Sequence, residues 1–273
     1  MNTKTVKVPD DVKQIILNEM TFLEVNGQLV GRMPQLDRDT YVRVNKVLLA
    51  LGGKWDRRKH IQGHVFTEDP RTQFEAIQEN GKVEADLYFP TPPAVVDEMI
   101  ALSVGPSPSP IRVLEPSAGE GAIVDALARH GLDQSLIDVI ELHPRRRAIL
   151  ESKGYNVVGK DFMDFEPQPI YDCVLMNPPF EKQQDIDHVQ RAFQCLKPGG
   201  RLVAIMSPSP FFTENSKAVA FRKWLDYLYP CVDWSELPAG TFKESGTMVQ
   251  SRLIVIDRPR TERECGRCEE RRP

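Results

Sequence analysis

The stretch that most constrains this chain runs from Tyr171 to Phe180 and ends Asn177-Pro178-Pro179-Phe180. Its first part, Tyr171–Met176, is an apolar run with the length of one buried strand. The strand must stop at Asn177, because neither proline can donate to a sheet ladder and the residue before each is pushed out of helical geometry. A side-chain amide, two stiff peptide units and an aromatic ring are thus delivered to the strand's C-terminal end. That edge is where open α/β sheets bind ligands. The Asn177 amide oxygen and the Pro178 carbonyl can together accept both N–H bonds of one amino group, with Phe180 against whatever carries it. Asn177, Pro178, Pro179 and Phe180 read as a grip for a planar amine such as a nucleobase. The plain alternative is a strand ending in a proline turn.

Upstream, residues 111–114 have a buried-strand pattern, Glu115-Pro116-Ser117-Ala118-Gly119-Glu120-Gly121 is a glycine loop, and 122–130 reads as a helix. Strand, glycine loop and helix open a doubly wound sheet. Gly119 and Gly121 let backbone approach a ligand, and the helix start offers N–H groups. The third glycine of the dinucleotide fingerprint is missing. Glu115 would repel a pyrophosphate; it suits a cation, such as the ammonium of a methionine moiety. Residues 136–140 form a second apolar run, and Glu141, 20 residues past Gly121, stands where a carboxylate accepts ribose hydroxyls. A third strand, 156–158, ends near Asp161-Phe162. Asp161 can bond an adenine amino group or serve as a turn residue, and Phe162 can pack on the ring. Helices are expected over 94–102, 185–196 and 218–229, strands over 202–206 and 253–256, and a sharp turn over 197–201.

The series Thr91-Pro92-Pro93, Val113 to Gly121, Glu141, Asp161-Phe162 and Asn177-Pro178-Pro179-Phe180 resembles the S-adenosylmethionine-dependent amino-methyltransferases of nucleic acids. In motif order it is similar to gamma-class DNA N6-adenine methyltransferases, over residues 86–257. The resemblance implies an α/β fold of class I methyltransferase type, a Rossmann-like, doubly wound, seven-stranded sheet. It implies S-adenosyl-L-methionine as cofactor and no metal. Cofactor contacts are then expected from Phe89, Thr91, Glu115, Ser117, Ala118, Gly119, Gly121, Glu141, Asp161, Phe162 and Asn177. Phe242 would stack on the target base opposite Phe180. Phe211, with Phe212, would edge the base pocket or serve as core or lid. The reaction it implies is methyl transfer to an exocyclic amine of a flipped nucleobase, most readily adenine N6 in double-stranded DNA. The alternatives are an RNA base amino-methyltransferase, acting on guanine N2 or adenine N6, and a protein-glutamine methyltransferase. Gamma-class enzymes of restriction systems carry a large recognition domain after the last strand; only about sixteen residues follow Asp257 here.

Reading of substrate sequence is then expected to be short, absent, or moved to residues 1–82, a small α+β module ahead of the methyltransferase domain at 83–257. A hairpin is expected over 21–33, with Asn26-Gly27 as its turn. Asp37 or Asp39 should cap a helix reaching Leu51, and two short strands should flank a basic loop. Trp55 and Phe66 are expected in the module's core, with base stacking as the alternative. The chain's net charge is −4, yet residues 32–64 hold eight Lys/Arg against three Asp/Glu. The tip Arg57-Arg58-Lys59-His60 is the expected phosphate contact, with a solvated face as the bland alternative. The N-terminus lacks a signal-peptide core and no apolar run approaches a membrane span. A cytoplasmic protein with reduced cysteines is expected. The tail, 258–273, with Cys265 and Cys268, is expected to be disordered, two cysteines being too few for a structural zinc site.

Overall fold

The computed structural model describes residues 3–66, 69–86, 90–104, 111–242 and 250–261. Phe89, the loop at 105–110 and the tail cysteines lie outside the described residues. The chain divides into two compact units, residues 1–88 and 89–273. No helix among the described residues is long and apolar enough to cross a membrane.

The first unit runs β1 (Thr3–Lys7), α1 (Asp10–Gln14), β2 (Thr21–Val25), β3 (Gln28–Arg32), α2 (Arg38–Ala50), β4 (Lys54–Asp56), β5 (Gly63–Phe66), α3 (Phe74–Asn80) and β6 (Lys82–Asp86). Asn26 and Gly27 both take positive φ, 52° and 74°, which is what a tight turn with the twist of its flanking strands demands. The Asp37 carboxylate accepts from Asp39 N and Thr40 N, both at 3.0 Å, and starts α2. The helix stops at Gly52, φ 85°, and Gly53 returns its N–H to Leu48 O at 2.8 Å. β1 pairs with β6; the other strands form an antiparallel sheet of order β2-β3-β5-β4. α2 lays Val44, Val47 and Leu48 in one core with Phe66. Phe66 is 4% exposed but Trp55 is 43% exposed. The core role expected of Trp55 is therefore wrong. It stands on β4, the outermost strand, at the margin of the helix that covers the sheet.

The second unit runs α4 (Pro93–Ser103), β7 (Val113–Glu115), α5 (Ala122–Arg129), β8 (Ile137–Ile140), α6 (Pro144–Ser152), β9 (Asn156–Gly159), β10 (Tyr171–Met176), α7 (Gln184–Cys195), β11 (Leu196–Met206), α8 (Ser216–Leu228), β12 (Val232–Glu236) and β13 (Arg252–Asp257). Its seven strands lie in the order β12-β13-β11-β10-β7-β8-β9. β13 runs antiparallel to both of its neighbours, and the other pairings are parallel. The order reverses between β7 and β10, so a crevice opens at their C-terminal ends. The sheet carries a core on each face, one under α4 and α5, the other under α7 and α8. The turn expected at 197–201 sits inside β11 as an irregularity. Tyr171 pairs with Leu196 and Cys173 with Arg201, and Gly199 takes φ 84° between them.

One buried carboxylate ties the N-terminal halves of four strands. Asp138 on β8 is 1% exposed. Its Oδ2 accepts from Arg112 Nε at 3.0 Å and Nη2 at 2.8 Å, just ahead of β7, and from the Tyr171 hydroxyl on β10 at 2.9 Å. Its Oδ1 accepts from Asn156 Nδ2 on β9 at 2.6 Å. Asp138→Leu should lower the unfolding free energy by about 3 kcal/mol, since it strands buried donors. Urea unfolding measures this; a shift worth less than about 1 kcal/mol would show that the strands do not rely on Asp138.

Candidate active site

The C-terminal edge of the second sheet collects one polar side chain from each of four neighbouring parallel strands. Glu115 is the last residue of β7, Glu141 follows β8, Asp161 comes two residues after β9, and Asn177 follows β10. β7, β8 and nearly all of β10 are buried along their length, so polar groups not paired inside the sheet, as Asp138 is, stand where the strands end.

The loop from Glu115 to Gly121 folds back on the end of β8. Ala118 N donates to Ile140 O at 3.1 Å, and Gly119 N donates to Glu141 Oε2 at 2.7 Å. Gly119 and Gly121 take φ 57° and 96°. A Cβ at Gly121 would stand 3.2 Å from Leu150 Cδ2, so both backbone conformation and space select glycine. Ser117 is half-buried beside it. The other Glu141 oxygen accepts from His143 N at 2.8 Å and Arg146 Nε at 3.1 Å. Arg146 was not foreseen; it comes from the first turn of α6, a helix the sequence reading had passed over.

Glu115 is 2% exposed, and its Oε2 has no hydrogen-bond partner. Burial, with the charges of Glu141 and Asp125 nearby, pushes its carboxyl well above the ordinary range, against the Val124 N–H. A buried acid with an unused oxygen beside a second acid is a place for a cation.

Asn177 is half-buried and donates from Nδ2 to Thr91 Oγ1 at 3.2 Å, a bond that orients the amide. Phe180 is half-buried and packs against the core that contains Phe242. After it, Lys182 and Gln183 both take left-handed backbone, φ 53° and 57°, which costs about 1–3 kcal/mol each. Gln183 Nε2 offsets part of this by donating to Thr213 Oγ1 at 2.9 Å and Ser209 Oγ at 3.4 Å. Asp185 is fully buried, and its Oδ2 accepts from Ser207 N at 2.9 Å and Ser207 Oγ at 2.8 Å. The segments that follow β10 and β11 are thereby locked together. Nothing in the sequence singles out this pair, which lies 22 residues apart.

Three aromatic residues stand differently from expectation. Phe242 is 3% exposed, so its ring is core and offers no open face. Phe162 is also 3% exposed, edge-on to His188 at 5.5 Å. Phe211 carries the Arg252 guanidinium 4.6 Å from its ring centre, and Trp234 holds the same guanidinium at 4.2 Å. Phe211 is thus part of a cation–π stack. Its neighbour Phe212, 65% exposed, is an open ring in the segment tied to Gln183. Asp161 caps its own turn, accepting from Met163 N at 2.8 Å. Among the described residues no cluster of His, Cys, Asp or Glu is placed to hold a metal.

These buried groups give the ligand-free protein a defined pH response. His64 and His188 are held down to about 4, in both cases by burial first. They are neutral when folded and take protons on unfolding, so stability rises as pH climbs from about 4 to 6.5. Glu115 is raised above 4.5, so the folded state keeps a proton that the unfolded chain releases. Its contribution falls as pH rises, by up to about 1.4 kcal/mol per unit until its raised value is passed. Asp185, raised by burial against its Ser207 bonds, acts in the same sense. Above pH 6.5 the histidines no longer contribute. Relative to Glu115→Gln, urea midpoints of the unaltered chain should fall as pH rises from 4.5. Parallel curves would show that Glu115 ionises normally.

Comparison with known proteins agrees with this architecture. A family model described as a methyltransferase domain matches residues 92–237, more than half of the chain. No curated protein sequence matches significantly. Among solved structures, the methyltransferase subunit of a type I restriction-modification system from Streptococcus thermophilus is similar at 18% identity with a TM-score of 0.52. The match covers 64% of this chain and 45% of that one, so this chain spans less than half of that subunit's length. A putative RNA methyltransferase from Pyrococcus horikoshii is similar at 16% identity and TM-score 0.46, over 63% of this chain and 86% of that one. A putative class I S-adenosylmethionine-dependent methyltransferase from Listeria monocytogenes is similar at 13% identity and TM-score 0.47, over 63% and 61%. The chain belongs to the methyltransferase-domain family and takes S-adenosylmethionine as its cofactor.

Proposed function

We propose that this chain is a nucleic-acid amino-methyltransferase of the gamma-class kind, methylating adenine N6 in DNA. The observation that carries the reading is Asn177-Pro178-Pro179-Phe180 at the end of β10, with the Asn177 amide oriented by Thr91 beside the acids of β7 and β8. The cofactor supplies a methyl group on a sulfonium. The chain's residues fit it: the unpartnered Glu115 oxygen would take the ammonium of the methionine part. Glu141 would take ribose hydroxyls in competition with the Gly119 N–H.

An aromatic amine is a poor nucleophile because its lone pair is delocalised into the ring. If Asn177 and the Pro178 carbonyl accept its two N–H bonds, the nitrogen turns pyramidal and its lone pair is aimed. Catalysis is then positioning and electrostatics, with no covalent intermediate. The base leaves its stack at a cost of a few kcal/mol, and stacking on Phe180 returns about 1–3 kcal/mol. Phe212 is the better second ring, since Phe242 is buried.

Digesting treated DNA and RNA to nucleosides and weighing the methylated base separates adenine in DNA from an RNA base. Asn177→Ala should keep cofactor affinity yet lose at least about a hundredfold in single-turnover rate, the range for one donor or acceptor used mainly in the transition state. A near-normal rate would refute the mechanism.

For the polyanion, the positive charge clustered in residues 32–64 of the first unit is the expected contact. Arg58 is spent on Asp56, to which it is bonded by Nε and Nη2 at 2.6–3.1 Å. Arg57 and Lys59 are exposed, and no described group pairs with them. The double change Arg57→Ala, Lys59→Ala should therefore weaken binding about equally across sequences. It should flatten the plot of log K against log salt by up to about 1.8, two phosphate contacts' worth. An unchanged slope would remove the tip from the DNA contact.

A further inference from the structure

The exposed indole of Trp55 is an aromatic feature of the first unit that neither the core nor phosphate binding uses. Two rings set its orientation from below and beside. His64 meets it edge-on at 5.1 Å, and Tyr41 of α2 meets it at 84° and 6.5 Å. His64 is itself fixed by its Nε2 contact with Asn45 Oδ1 at 2.7 Å. The indole is therefore a rigid, 43% exposed apolar plate.

Its surroundings are cationic. Arg38 stands one turn before Tyr41 on the same helix face. Arg57 and Lys59 follow Trp55 in the tip, and Lys54 flanks it on the opposite sheet face. All four are exposed and none has an ion-pair partner among the described residues. Of the acids nearby, Asp56 is matched by Arg58 and Asp37 is occupied as the helix cap, leaving Asp39. An apolar ring alone would suit a protein partner equally well. A ring in a field of unmatched cations suits a polyanion that carries flat apolar faces. In a duplex those faces are covered by neighbouring bases; in a single strand they are open.

We propose that Trp55, framed by Tyr41 and His64 and followed in the chain by the exposed cations Arg57 and Lys59, is a stacking platform for an unpaired nucleobase. The first unit thus grips single-stranded nucleic acid. This deepens the nucleic-acid reading above: it gives the first unit a base contact where the tip alone would touch phosphates. It does not depend on methyl transfer.

The test uses the full chain with a labelled single-stranded oligonucleotide and a hairpin duplex of matched length. Trp55→Ala should weaken single-strand affinity about 5- to 150-fold, the effect of losing one stacked base. Trp55→Phe should restore most of it, and duplex affinity should change less than about twofold. The side chain is exposed, so thermal midpoints should barely move, and the Phe variant keeps the test valid if the Ala variant misfolds. Unchanged single-strand affinity in both variants, or an equal loss on the duplex, overturns the platform. Methyl label is scored in parallel. Label with single-strand binding unaltered in Trp55→Ala defeats the platform alone. Trp55-dependent binding without any label leaves the platform standing and defeats methyl transfer.

Discussion

The second unit depends on one buried charge. Asp138 gathers Arg112, Asn156 and Tyr171, so β7, β8, β9 and β10 share a single anchor near their N-terminal ends. Parallel strands pair through slanted bonds that are weaker guides to register than antiparallel ladders. A common anchor at one end holds the other end in step. The far ends are where Glu115, Glu141, Asp161 and Asn177 emerge. Burying an ionised carboxylate is tolerated only because its lone pairs are used, and four donor atoms use them.

At the active edge the logic is reversed. Glu115 is buried with an oxygen unused, and Lys182 and Gln183 hold unfavourable backbone angles. Such features are destabilising alone and persist because the surroundings overdetermine them. The Asp185–Ser207 pair and the Gln183 contacts with Ser209 and Thr213 do that work for the segment after Asn-Pro-Pro-Phe. On the proposed reading, energy stored as an unpaired acid would become binding energy once a cation enters.

The two units divide the physical tasks. The second presents carboxyl groups and a planar grip, chemistry suited to a cationic cofactor and a flat amine. Positive charge is concentrated in the first unit, between Arg32 and Lys59, and so is the exposed indole of Trp55.

The sequence by itself determined the strand ends and what they carry. Prolines after Asn177 terminate β10, glycines at 119 and 121 open the loop, Asn26-Gly27 turns the hairpin, and Asp37 caps α2. Each is a local effect of backbone geometry within a few residues. Tertiary structure alone decided which side chains lost their freedom. Phe66 and Trp55 read alike in sequence, yet one fills the core and the other lies open, because β5 is an interior strand and β4 an edge. Phe242 reads as a base contact and Phe211 as pocket edge, core or lid, yet one is buried and the other is stacked on Arg252. Arg146 on Glu141 and Ser207 on Asp185 left no mark in the chain. Burial and pairing depend on what arrives from elsewhere in the fold, and no local pattern encodes that.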